Sequence, residues 1–155
     1  MPMHAYIGAS ASCWALYNEL LARQYEGFVG SLPANQALTR IRVIDAYSVQ
    51  HHGKPERRAI QSVNAHLVAL YLQLEKEYSG EQVNAALQRV LKFANEFVWL
   101  EPPTPNGTLT IADVLRAETS QEQANAIENY ARDIWRAWHA RRETAVRWAR
   151  RAEGK

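Results

Sequence analysis

Residues 44–75 read IDAYSVQHHGKPERRAIQSVNAHLVALYLQLE. Apolar residues recur every three or four positions on both sides of a short break. Ile44 and Tyr47 continue a row begun by Leu38 and Ile41, and Ile60, Val63, Leu67, Leu70 and Leu74 form a second row. That period is helical. Gly53 is a natural C-cap for the first helix, and Pro55 suits the opening of the second, so the stretch predicts two helices joined by a tight turn. No segment of the chain alternates cleanly like a strand, which makes the expected fold class all-α.

The same signals extend outward. Ser10 or Ser12 can cap a first helix running to about Phe28, with Trp14, Tyr17, Leu20, Leu21 and Tyr25 along one side. GSLP then breaks the chain, and Pro33 suits the first turn of the helix that reaches Gly53. Ser79 with Gln82 makes a capping-box pair, followed by Val83, Leu87, Val90, Leu91 and Ala94. WLEPPTPNGTL, with three prolines and an Asn-Gly pair, is an irregular loop. Thr110 and Asp113 open a short helix. Ser120 and Gln123 open the last one, which runs to about Arg150 with Ile127, Ala131, Ile134, Trp138, Ala145 and Trp148 inward. The expected architecture is a single domain over residues 1–155: an up-and-down four-helix bundle with one additional short helix, residues 1–10 and 151–155 being loose ends.

Composition narrows the function classes. The chain has 155 residues, 47% of them apolar, and a formal net charge of +2. That is enough for a buried core and too little charge for the whole molecule to act as a polyanion binder. One cysteine, Cys13, excludes an internal disulfide. It precedes Trp14 at a helix start and reads as inert, although a helix N-terminus can lower a thiol pKa. MPMHAYIGASASC lacks a basic leader and a long apolar run, and no stretch approaches the length of a membrane span. A bacterial, cytoplasmic protein without a membrane is the expectation.

DAYSVQHHG, residues 45–53, concentrates ionisable and polar groups at a helix end. His51 is seven residues from Ile44 and four from Tyr47, so it points inward; Asp45 and His52 flank that row. On the next helix His66 shares a side with Ser62, Ala69 and Gln73. His66 lies about 16 Å along its helix from the turn at which His51 sits, at 1.5 Å per residue, so direct co-ligation needs a bend. The plain alternatives are hydrogen-bonded structural histidines, a helix-dipole role at the C-terminus, and an ion pair from Asp45 to Arg42 or Arg57.

The stretch 44–75, with FVWLEPPTPNGTLTIADVLRA and YARDIWRAWHARRETAVRW, resembles an uncharacterised bacterial family of unknown function marked by D-x-Y-x-x-Q-H-P-G and R-R-x-x-Q-S-x-x-x-H-L. The likeness runs from about Cys13 to Trp148. Three departures stand out: no C-P-x-C-G element precedes the first helix, the H-P-G reads His51-His52-Gly53, and Arg141-Arg142 stands where relatives carry paired histidines. More distantly, the arrangement is similar to DinB-like metal-binding bundles. That similarity implies a divalent metal, zinc or nickel, on His51, His66 and His139, with Asp45, Gln50 and His52 around it.

Seven arginines between Arg132 and Arg151 face only Asp133 and Glu143, a local net of +5. Arg132, Arg136, Arg147 and Arg150 form an outward basic face, suited to solvent or to an acidic partner. No motif for specific nucleic-acid recognition accompanies it. Arg141 falls on the apolar row, seven residues from Ile134 and three from Trp138, which predicts an internal cluster of Asp45, a histidine and Arg141 or Arg142. Trp99, Trp135, Trp138, Trp148 and Tyr130 read as core, and LEPPTPNG as a rigid loop over one bundle end. Two function classes fit: a small DinB-like enzyme or metal-binding protein with a polar interior site, which is favoured, and a non-catalytic helical module that dimerises or docks a partner.

Overall fold

The computed structural model describes residues 8–24 and 34–155. Among them there are seven α-helices and no strand. In order these are α1 (Ala11–Arg23), α2 (Ala34–Gln50), α3 (Arg57–Leu74), α4 (Gly80–Val90), α5 (Ile111–Leu115), α6 (Ser120–Ala137) and α7 (Arg142–Ala152), with 3₁₀ segments at Leu91–Glu96 and His139–Arg141. The expected reach of the first helix to Tyr25 and Phe28, and the Pro33 start of the second, lie outside the described residues.

Local chemistry sets most of the boundaries. Of the two candidate caps it is Ser10 whose hydroxyl accepts from the Cys13 amide, at 3.2 Å. Ser79 and Gln82 close a reciprocal capping box on α4. Asp113 accepts from the Thr110 amide at the start of α5. For α6 the cap is Thr119 rather than Ser120, because the Glu122 carboxylate reaches back to the Thr119 amide and also takes the Glu118 amide. Gly53, at φ 68, makes the left-handed turn after α2.

Four expectations change. In place of a four-helix bundle with one short helix there are six helices of eleven residues or more plus the five-residue α5: the cap signals already mark five long segments, and the last of these divides. The last span is two helices, broken where Trp138 (φ −91, ψ 15) leaves the helical region. Its indole is pinned to Asn106 of the proline loop at 2.8 Å, and the chain turns there so that α6 packs on α2 and α5 while α7 packs on α3 and α4. The carboxyl end expected to be loose from residue 151 begins inside α7, and Arg151 pairs with Glu96. Past Val90 the tighter 3₁₀ winding also rotates Leu91 outward, where it is exposed instead of inward.

α3 lies at the centre, against α2, α4, α6 and α7. Its second half, Leu67 to Leu74, is buried on every side, as a helix surrounded by others must be. The core includes Trp138, Tyr47, Tyr130, Phe97, Leu67 and Leu70, all almost fully buried. Trp148 joins them, in keeping with a packing role for the aromatics, while Trp99 and Trp135 are only half-buried. Within this core sit four polar residues, Asp45, Ser48, Asn64 and Gln73.

Candidate functional site

Asp45 is 3% exposed. It projects from α2 toward α3, and two side chains of α3 meet it. His66 donates from Nδ1 to Asp45 Oδ1 at 2.6 Å, and Gln73 donates from Nε2 to Oδ2 at 2.5 Å. His66 and Gln73 are seven residues apart, two turns of one helix face, so one carboxylate spans both. Burial pushes the Asp45 carboxyl above its ordinary value of 3.8; the bonds from His66 and Gln73 oppose that without reversing it. The Gln73 Oε1 atom is buried and has no hydrogen-bond partner among the described residues.

With Nδ1 committed to Asp45, Nε2 is the nitrogen His66 has left. Its ring lines a surface groove of about 220 Å³, together with Arg58, Gln61, Ser62, Ala65 and Leu91. The polar members share one face of α3 because they sit at helical spacing. A buried carboxylate that fixes the tautomer of a half-exposed imidazole is the arrangement that makes histidine a directed base or acid. Sequence reasoning put Asp45 and His66 beside their apolar rows but paired Asp45 with arginines. In the structure Arg57 donates to the Ala94 and Phe97 carbonyls instead, and Arg42 Nε is buried without a hydrogen-bond partner among the described residues.

The other expected site residues go elsewhere. His51 is six residues beyond Asp45, about 120° around the helix, and faces α1. There its Nε2 lies 3.3 Å from Cys13 Sγ, and its ring tilts against Tyr47 at 4.4 Å. Burial holds His51 below its usual 6.5, although a bond to the Gly8 backbone favours the charged form. His52 bonds through Nδ1 to the Gly53 carbonyl oxygen and lies edge-on to Trp99. Gln50 ties down the proline loop: it donates to the Asn106 and Leu109 carbonyls and accepts from the Tyr130 hydroxyl at 2.6 Å.

His139 is exposed in the turn between α6 and α7. Arg141 is half-buried with no ion pair among the described residues, because the break at Trp138 takes it off the row on which continuous winding would place it. Arg142 makes a two-pronged pair with Glu75, beside Trp135, whose indole also donates to that carboxylate. Glu75 is held below its usual value chiefly by Arg142. So neither arginine joins Asp45. His51, His66 and His139 do not share a coordination sphere, and no three His, Cys, Asp or Glu side chains among the described residues are placed to hold a metal ion.

The family model for the "Family of unknown function (DUF5946)" matches residues 4–139, most of the chain. The chain belongs to that family. No curated protein and no solved structure matches it. Within this DUF5946 chain the matched span holds both Asp45–His66 and Cys13–His51, whereas Arg142 and the rest of α7 lie beyond it. No helix among the described residues is long and apolar enough to cross a membrane.

Proposed function

We propose that the chain is a small acid–base enzyme working on a polar substrate that carries a negatively charged group. His66 Nε2 moves the proton. Asp45 is the positioning residue that holds the ring, and the Arg58 side of the groove receives the anionic group, with Gln61 and Ser62 as further polar contacts. The observation that supports this most is the 2.6 Å contact between a fully buried carboxylate and a histidine whose ring borders a groove. A carboxyl costs free energy to bury, and a purely structural contact in this core could be met by an amide. The basic residues of α7 favour an acidic docking partner less, because Arg142 and Arg151 are engaged with Glu75 and Glu96 and Arg147 lies over the Trp148 ring.

The test is a turnover screen of phosphate and carboxylate esters with the wild type, His66→Asn and Asp45→Asn. General acid–base catalysis by one side chain contributes about 10²–10⁴-fold. His66→Asn is expected to lose that much and Asp45→Asn at least about tenfold, through a mis-set tautomer. Turnover that survives His66→Asn counts against the reading. So does a His66 ring whose NMR signals ignore inorganic phosphate and acetate.

A further inference from the structure

A second ionisable pair, Cys13 of α1 and His51 just past the end of α2, faces away from Asp45, and the acid–base site does not use it. Cys13 is the third residue of α1, with its amide held by the Ser10 cap. Its thiol is only partly buried and sits 3.3 Å from His51 Nε2, within reach of a hydrogen bond to sulfur. The approach is set by the backbone. Gly8 donates its amide to the His51 carbonyl at 3.0 Å and packs so tightly on Gly53 that a Cβ on Gly8 would lie 3.0 Å from the Gly53 Cα. Those two glycines bring the entry to α1 against the exit of α2 and put the thiol on the imidazole. A third group completes the arrangement. The Tyr47 side chain is fully buried and stacked on Tyr17 at 3.9 Å, and its hydroxyl faces the Cys13 sulfur, with no other hydrogen-bond partner among the described residues. That hydroxyl stands beside Cys13, which with burial helps to hold it in its neutral, hydrogen-donating form. An imidazole and a tyrosine hydroxyl thus converge on one partly exposed sulfur, a base for its proton and a donor for the thiolate left behind.

We propose that Cys13 is a nucleophilic thiol that exchanges with small disulfides, with His51 as its base and Tyr47 as the hydrogen-bond donor to its thiolate. The thiol proton passes to His51 Nε2, and the sulfur attacks one sulfur of the disulfide. A new S–S bond to Cys13 forms as the original one breaks, and the departing thiolate takes the proton back from the imidazolium. The exchange needs no outside oxidant. Because the chain has one cysteine, no internal thiol can resolve the adduct. It persists until a second external thiol removes it, so Cys13 is a site of reversible thiolation.

The experiment is the rate of reaction with dithionitrobenzoate and with oxidised glutathione, the adduct counted by mass. The folded chain, the urea-unfolded chain, His51→Asn and Tyr47→Phe are compared across pH. The folded wild type is expected to react about tenfold or more faster than the unfolded chain near neutral pH. His51→Asn removes that advantage and the pH inflection of the imidazole, and Tyr47→Phe reduces it. A folded chain that reacts no faster than the unfolded one overturns the proposal, as does a folded His51→Asn with unchanged rate. The folded-to-unfolded comparison needs no variant, so it decides the matter even where His51→Asn does not fold.

Discussion

Asp45 sits in the core, where His66 and Gln73 donate to its two oxygens. Its carboxyl is raised by burial, which makes the pH sign definite. A folded-state pKa above the unfolded 3.8 favours the protonated form. The stability it contributes is therefore complete below that pH and is lost as pH rises through the folded value. Asp45→Asn removes the loss. The new amide can donate to Gln73 Oε1, now a buried orphan, once the Gln73 amide turns over. The variant is expected to be more stable than wild type at neutral pH, because the amide does not ionise. The margin shrinks toward pH 4 when denaturant midpoints are compared. Arg141 gives the contrasting case. Half-buried and without an ion pair, it is expected to tolerate Arg141→Ala with a change under about 1 kcal/mol by the same method. A larger loss would mean that the guanidinium is engaged in the core after all.

Between elements, the proline loop governs how the second half of the chain packs. Asn106 donates to the Val49 and Gln50 carbonyls at the end of α2 and accepts from Trp138 where α6 stops. Asp133 holds the next residues through the Thr108 and Leu109 amides. Asn106→Ala leaves two carbonyls and an indole N–H short of a partner in one step. It is expected to destabilise by about 1–3 kcal/mol in thermal or denaturant unfolding. A cost near zero would show that the loop does not position the α6–α7 break. These contacts also mark where the sequence was legible. Helix starts were, because Ser79 with Gln82 and Thr110 with Asp113 act within four residues. The break at Trp138 was not, because its cause lies 32 residues away in Asn106. For the site, helical spacing alone put His66 and Gln73 on one side of α3. What it lacked was the register of α2 against α3, which decides that Asp45 meets those two rather than an arginine. Cys13 looked inert because nothing within α1 shows that His51 will be brought beside it.

Across the whole molecule, polar function is divided over the two sides of α2. One side carries Asp45 toward α3 and a groove; the other carries Tyr47 and His51 toward α1 and a thiol. Gln50 and His52 serve packing at the end of the same helix. This division separates the histidines that a shared metal centre would need. Untagged protein is accordingly expected to contain less than stoichiometric zinc or nickel by elemental analysis and to melt at the same temperature with and without EDTA. One bound ion per chain, with a melt lowered by EDTA, would mean that the imidazoles converge in solution.

The proton on His66 is the most direct test of the acid–base site. Long-range ¹H–¹⁵N spectra of the histidine rings read which nitrogen carries it, and the pairing with Asp45 predicts the neutral ring with hydrogen on Nδ1 and the lone pair on Nε2, disturbed by Asp45→Asn. A neutral ring protonated on Nε2, or one indifferent to Asp45→Asn, would contradict the site.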